Sequence, residues 1–340
     1  MGDAMGAIPT ATPRPRSSQI HRPARFRPCR RLQALAIVNP VATRMSNRLC
    51  RATLAPLAST LDLETVPTEA PGHAIELAEK ARAQGLDLVI AFGGDGVANE
   101  VLNGLIAAPS EDPTPVMACL PAGRTNVLAR LLGFPLDPAR AAGQLADPDR
   151  RQLRRLQLST VNRRYFACSA GIGLDAAVVR AAHHRLRKGR RIGPVFYPLT
   201  AGAIFWHSFA RSNAPAIRVR TETRRYRAVT VCVQNGRHYT YLGNRSIDLV
   251  SRGDLRSEAL SGALLGRTGK RSLVRVAWQL ARGGAAVADH SAFTGLVDIH
   301  ELQVSVEGGA KLALHADGEY LGDVDRAEFR AGAAQLDVLT

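Results

Sequence analysis

Leu86-Asp87-Leu88-Val89-Ile90-Ala91-Phe92-Gly93-Gly94-Asp95-Gly96-Val97-Ala98-Asn99-Glu100-Val101-Leu102-Asn103-Gly104-Leu105 decides the fold. The first seven residues form a short apolar run that reads as a buried strand, and residues 97–105 carry the pattern of a helix. Between them lies the turn Gly93-Gly94-Asp95-Gly96. A helix start leaves backbone N–H groups unpaired and carries about half a positive charge, so a glycine turn feeding it is suited to phosphate. Asp95 cannot serve phosphate directly, because two anions repel. It points to proton acceptance or to a metal-mediated role.

Outward from this unit the same grammar repeats. Upstream, Leu35–Val38 reads as a strand ending in the turn Asn39-Pro40, followed by a helix, a strand near Leu61–Val66 and an amphipathic helix over Ala74–Gln84 that stops at Gly85. Downstream, Val116–Leu120 is strand-like, Pro121-Ala122-Gly123-Arg124-Thr125-Asn126 is a second glycine turn, and Val127–Leu132 is a helix closed by Gly133 and Pro135. Alternating β and α units predict an α/β domain with an open, mainly parallel sheet and ligands at the carboxyl ends of its strands. Three turns on one sheet edge predict a nucleotide site.

Past Arg155 the rhythm changes. Strand-like segments near Leu156–Val161, Tyr165–Ala170, Ile217–Thr221, Arg227–Gln234, Val297–Val306, Lys311–His315 and Glu328–Arg330 predict a β-rich, mainly antiparallel C-terminal domain. Helix-like exceptions are Asp175–Leu186, Tyr197–Phe209 and Arg271–Arg282. The expected division is a basic arm over 1–31, read as disordered, an α/β domain over 32–155 and a β-rich domain over 156–324. The stretch Ile192–Ala210 has no charged residue, but its Gly193, Pro194, Pro198, Gly202, His207 and Ser208 favour an interfacial or core helix over a membrane span. Arg185, Arg187, Lys188, Arg190 and Arg191 precede Phe196, Tyr197, Phe205 and Trp206, a composition suited to an anionic membrane surface.

Composition bounds the rest. At 340 residues, 46% apolar and 22% charged, the chain can bury a substantial core and does not resemble a disordered or multi-span membrane protein. Its net charge of +16 rests on 45 basic residues, of which Lys80, Lys188, Lys270 and Lys311 are the lysines. Such a surface attracts polyanions. No recognition helix, zinc finger or RNP pattern accompanies it, so no nucleic-acid partner is expected. Five scattered cysteines without a CxxC pair argue for a reducing cytosol and against a zinc site. The histidines show no ligand spacing, no GxSxG elbow supports hydrolase chemistry, and no GxGxxG follows the first strand.

The series Asn39-Pro40, Gly93-Gly94-Asp95-Gly96 with Asn99-Glu100-Val101, Gly123-Arg124-Thr125-Asn126 and, far downstream, Asp317-Gly318-Glu319 resembles the diacylglycerol kinase catalytic-domain family, which includes sphingosine, ceramide and bacterial lipid kinases. The resemblance extends through Ala170-Gly171-Ile172-Gly173-Leu174-Asp175-Ala176 and Tyr241-Leu242-Gly243-Asn244-Arg245, and so covers about Leu35 to Leu339. It implies an N-terminal α/β domain like that of phosphofructokinases and NAD kinases, completed by the last strand at about 325–340. It implies a β-rich lipid-substrate domain and a cleft between them where Mg-ATP meets a lipid hydroxyl. Carried over, it sets the ATP phosphates against Gly93, Gly94 and Gly96, with Asn39, Thr125 and Asn126 framing the nucleotide, Glu319 near it, and Asp95 and Gly123 among the cofactor-binding residues of the same turns. Asp317 is the implied general base and Asp95 its rival. ATP and Mg²⁺ are the implied cofactors, a lipid the substrate, and a cytoplasmic enzyme peripheral to the inner membrane face the implied setting; a homodimer is compatible.

Three departures set this chain apart. Val97 stands where the family has Thr, Arg124 stands where it has Ser or Thr, and Ser251-Arg252-Gly253-Asp254-Leu255 replaces an Asp-rich segment associated with a structural magnesium. These motivate a second reading, a nucleotide- or lipid-binding homologue with impaired catalysis. An NAD kinase-like enzyme is the nearest enzymatic competitor. Asn99-Glu100 directly after the turn and the late Asp-Gly-Glu favour the lipid kinase.

Overall fold

Leu88–Gly93 is buried along its whole length and lies at the centre of a parallel sheet. The structure, a computed structural model, describes residues 24–25, 30–106, 113–188, 192–193, 196–204, 216–250, 257–266 and 286–340. Most of the basic arm, the 251–255 segment and the helix expected over 271–282 lie outside them.

The N-terminal part runs β1 (Ala24–Arg25), β2 (Gln33–Val38), α1 (Asn47–Thr60), β3 (Asp62–Pro67), α2 (His73–Ala83), β4 (Leu88–Gly93), α3 (Asp95–Ile106), β5 (Val116–Pro121), α4 (Val127–Leu131) and α5 (Pro138–Ala146). Strands β3, β2, β4 and β5 pair in parallel in that order. Val38 lies opposite Phe92, which lies opposite Leu120. The three strands therefore end at one level, and the turns at Asn39, Gly93 and Pro121 leave the sheet side by side. Local signals fix the helices: Ser46 Oγ accepts from Leu49 N (3.1 Å) to cap α1, and Asp137 caps α5 with Pro138 in its first turn. Val89, Ile90, Phe92, Val101, Leu102 and Leu105 fill the core between sheet and helices.

The C-terminal part runs β6 (Gln152–Val161), β7 (Arg164–Phe166), β8 (Ser169–Ile172), α6 (Leu174–Arg187), α7 (Phe196–Ile204), β9 (Ile217–Thr221), β10 (Arg225–Ala228), β11 (Thr230–Gln234), β12 (Thr240–Leu242), β13 (Arg245–Ile247), β14 (Leu260–Leu265), β15 (Phe293–Ile299), β16 (Glu301–Val306), β17 (Leu312–Ala316), β18 (Glu319–Val324) and β19 (Arg326–Leu339). Six of these strands form an antiparallel sheet in the order β15-β14-β11-β8-β17-β18. Against it pack β9 and β16, which continue through β19 into the parallel sheet. Val219, Val231, Leu264, Leu302 and Phe329 lie in the core between the two sheets. Strand β19 pairs antiparallel with β16 and β6, and Val338 sits in parallel register with Met117 of β5.

Three apolar runs that read as single strands are split. Tyr165–Ala170 divides into β7 and β8 because the N–H groups of Ala167 and Cys168 turn toward Asp317 instead of a strand. Arg227–Gln234 divides into β10 and β11, and Val297–Val306 into β15 and β16; each pair belongs to two different sheets, so the chain crosses the sandwich at the break. Asp298 adopts φ 55° just before the second crossing. Strand β19 is far longer than the Glu328–Arg330 segment that composition suggests. Within Ile192–Ala210 the described helix is α7, and among the described residues no helix is long and apolar enough to cross a membrane.

Candidate active site

The site begins with three touching loops. Asn39 N donates to Phe92 O (2.9 Å), while Ala122 N (2.7 Å) and Gly123 N (3.0 Å) both donate to Gly93 O. A Cβ on Gly94 would lie 3.2 Å from the Gly123 Cα, and one on Gly123 only 2.4 Å from the Gly94 Cα. This contact between turns requires glycine at 123 and leaves a Cβ at 94 too close by a few tenths of an ångström. Asn126, at φ 50°, accepts from Gly123 N and donates to Gly123 O, each at 2.9 Å, so its amide closes its own loop. The Asn39 carbonyl oxygen Oδ1 likewise accepts from Val41 N (3.0 Å). Both asparagines thus shape the rim. Thr125, half-buried, precedes Asn126, and its carbonyl accepts from Arg130 Nε (2.9 Å).

Across the cleft comes the turn between β17 and β18. Asp317 and Gly318, at φ 47° and 80°, connect two strands in which Ala316 pairs with Glu319, the left-handed pair that a two-residue hairpin demands. This tight turn drives Glu319 onto the glycine loop of the other lobe: a Cβ on Gly96 would lie 2.1 Å from Glu319 Oε1. Asp317 is 9% exposed. Its Oδ1 accepts from Cys168 N (2.8 Å) and Ser169 N (3.0 Å), and its Oδ2 from Ala167 N and Asn99 Nδ2, both at 2.9 Å. A carboxylate offers about four lone-pair sites, and here four donors fill them.

Asp95 differs. Its Oδ1 accepts from Leu128 N (3.2 Å) at the start of α4. Burial pushes its carboxyl up to about 7, aided by the nearby charge of Asp317 and opposed by the N–H groups of Asn126, Val127 and Leu128. Glu319 is pushed up to about 6 by burial and by Glu100 and Asp317, while Arg164 pulls it down. Tyr197 of α7 faces the same cleft: burial raises its hydroxyl, with the charges of Asp95 and Glu319 acting in the same direction and Arg124 against them. Arg124 Nη2 donates to Ile192 O, so this cation reaches from the glycine turn to the segment before α7.

Helix α3 ties the lobes together. Asn99 and Asn103, one helical turn apart, grip β7: Asn103 accepts from Tyr165 N and donates to Tyr165 O, both at 3.0 Å, and Asn99 Nδ2 also donates to Tyr165 O (3.0 Å). Arg164 Nε donates to Asn99 Oδ1 (2.9 Å). Glu100 accepts from Gly72 N (2.9 Å) and Ala74 N (3.2 Å), stapling α2 to α3. Sequence reading overlooked Asn103 and Arg164. The available signal was two buried amides spaced i,i+4 on a helix otherwise apolar on that face, since buried amides demand partners.

Beside Gly171 of β8, Asp175 Oδ2 accepts from the Tyr239 hydroxyl and meets His315 Nε2 at 2.8 Å. Burial opposes the charge of Asp175, but His315, Tyr239 and the Ala176 N–H together outweigh it and lower its pKa.

Fold and cleft define a class: an α/β lobe whose parallel strands deliver glycine turns at one edge, facing an acidic hairpin from a β-rich lobe. Residues 33–158 match the diacylglycerol kinase catalytic domain. Among curated proteins, a diacylglycerol kinase of Bacillus subtilis strain 168 is 39% identical over 113 residues, 33% of this chain and 35% of the relative. A protein of Chromohalobacter salexigens named probable lipid kinase YegS-like is 33% identical over 137 residues, 40% and 42% of the two chains. The match thus spans well under half the length of these relatives. A solved diacylglycerol kinase structure from Bacillus anthracis str. Sterne superposes with a TM-score of 0.64 at 21% identity, covering 90% of this chain and 96% of that one. The sequence likeness to the diacylglycerol kinase catalytic domain is thus confined to residues 33–158, and beyond them the chain shares the fold of the solved structure.

Proposed function

We propose that this chain is a lipid kinase that transfers the terminal phosphoryl group of ATP to a hydroxyl of diacylglycerol or a related lipid. The observation that carries this reading is the meeting of the Asp317-Gly318-Glu319 turn with the Gly93–Gly96 loop, which gathers Asp95, Asp317 and Glu319 from two lobes into one cleft. Phosphoryl transfer requires little covalent participation by protein; it requires positioning, and a group that takes the proton of the attacking hydroxyl.

Asp95 is the proposed proton acceptor. It retains acceptor capacity at Oδ2, and a carboxyl titrating near neutrality matches the proton-transfer demand of a hydroxyl attack. Asp317, the base that the family resemblance implies, has its lone pairs filled and acts instead as the clasp that seats the β-rich lobe on α3. Gly93, Gly94, Gly96 and Gly123 hold the loops close enough for the phosphates to meet backbone N–H groups, and Asn39, Thr125 and Asn126 form the rim. Among the described residues no group of three His, Cys, Asp or Glu side chains is placed to hold a metal ion. Mg²⁺ enters this reading as the companion of ATP.

The lipid reaches the cleft, in this reading, from an anionic membrane surface touched by the end of α6 and by α7. There Leu186 (58%) and Leu199 (69%) are exposed, and Arg185 sits 5.4 Å from the Phe196 ring centre. The test is to incubate the full chain with labelled ATP, Mg²⁺ and phosphatidylglycerol vesicles carrying diacylglycerol. A phosphorylated lipid is expected, and substituting Leu186→Glu with Leu199→Glu should reduce vesicle cosedimentation at least tenfold. ATP binding without turnover on any lipid in a mixed extract would instead establish the impaired homologue.

A further inference from the structure

Arg164 opens β7, after the tight turn at Asn162, which adopts φ 55°. Its neighbour Arg163 is exposed, whereas Arg164 turns toward the cleft and burial lowers its pKa. Its Nε reaches Asn99 Oδ1, and its charge faces Glu100 of α3 and Asp317 and Glu319 of the β17–β18 hairpin. An Asn amide has two orientations, and only one aims Nδ2 at a carboxylate. Oδ1 accepts from Arg164 Nε and, at 3.2 Å, from Asn103 Nδ2, which leaves Nδ2 to donate to Tyr165 O and to Asp317. The other arginines flanking the cleft are engaged elsewhere: Arg124 with Ile192 O, and Arg130 with Thr125 O and the Tyr241 ring 4.6 Å away.

Four carboxylates from two lobes share this space, and like charges in a poorly solvated cleft repel strongly. A guanidinium keeps its proton under burial where an ammonium gives it up more readily, and its planar fork can serve several acceptors at once. We infer that Arg164 is a positioning residue of the cleft: through Nε it turns the Asn99 amide toward Asp317, and its charge holds Glu100, Asp317 and Glu319 together where the lobes meet.

The groups facing Glu319 are Glu100 from α3, Arg164 from β7, Asp317 from its own hairpin and Tyr197 from α7, with Asp95 beyond. Removing one cation from this set must move Glu319 upward. The experiment is a carboxyl-carbon NMR titration of the full nucleotide-free chain, with Glu319 assigned through Glu319→Gln. In the parent chain Glu319 should titrate near 6. Arg164→Gln and Arg164→Met should each raise that midpoint by about one pH unit, and Arg164→Lys should hold it within about 0.3 unit. A midpoint unmoved in the neutral variants would overturn the inference. Should neither neutral variant fold, Arg164→Lys decides alone: the carboxylates of Glu100, Asp317 and Glu319 favour a charged ammonium there near pH 6, and a full-unit shift beside a retained charge is incompatible with the inference. The bearing on turnover rests on the kinase reading, but the titration does not: a chain that phosphorylates nothing sinks the kinase and leaves Arg164 to be judged by Glu319.

Discussion

Two aspartates lie close together in the cleft, and substitution tests the different tasks proposed for them. Asp317→Asn places an NH₂ group against backbone donors that now meet a carboxylate oxygen. We expect a loss of about 1–3 kcal/mol in urea unfolding, together with lost turnover. Asp95→Asn should lower turnover at least about 100-fold without that loss of stability. A pH series sharpens the contrast. The folded-state pKa of Asp95 lies above its unfolded value, so the folded chain binds the extra proton between about pH 4 and 7. This contribution to stability is present below pH 4, is lost as pH rises to about 7 and is flat beyond. Asp95→Asn should remove that slope, gaining roughly 1–3 kcal/mol on the parent chain between pH 5 and 8; an unchanged slope would place the ionisation elsewhere.

Helices and strands were legible in the sequence to unequal degrees. Leu88–Gly93, the glycine turn and α3 could be read because a fully buried parallel strand is continuously apolar and its turn is marked by glycine. The β7–β8 break could not, since its cause is a carboxylate about 150 residues away that draws in the N–H groups of Ala167, Cys168 and Ser169. Hairpin β12–β13 and helix α5 also went unread. Of the candidate site, the loops were visible as motifs. Which carboxylate keeps open acceptor sites is decided by burial and by partners that only the fold supplies. Gly96 tests the contact between elements: Gly96→Ala should swing the Glu319 carboxylate off the glycine loop, because its Cβ would occupy the place of Oε1. Stability within about 1 kcal/mol of the parent and a turnover reduced at least tenfold are expected, read by thermal melting and by the vesicle assay.

Across the whole molecule, the two lobes are one sheet system rather than two beads. Removing residues 326–340 would strip β16, β6 and β5 of a common neighbour and expose the buried Phe329, Leu336, Val338 and Leu339. We expect such a truncation to be insoluble or molten, with dye-accessible apolar surface and no cooperative unfolding. Thr340 and Gln152 exchange N–H···O bonds at 2.8 and 2.9 Å, fastening the last residue to the first strand of the β-rich part. This has a consequence for biogenesis. A ribosome delivers β5 long before β19, the strand that flanks it. The nascent N-terminal lobe must therefore wait with an open edge until β19 has emerged, and the two lobes commit to their shared shape in one late step.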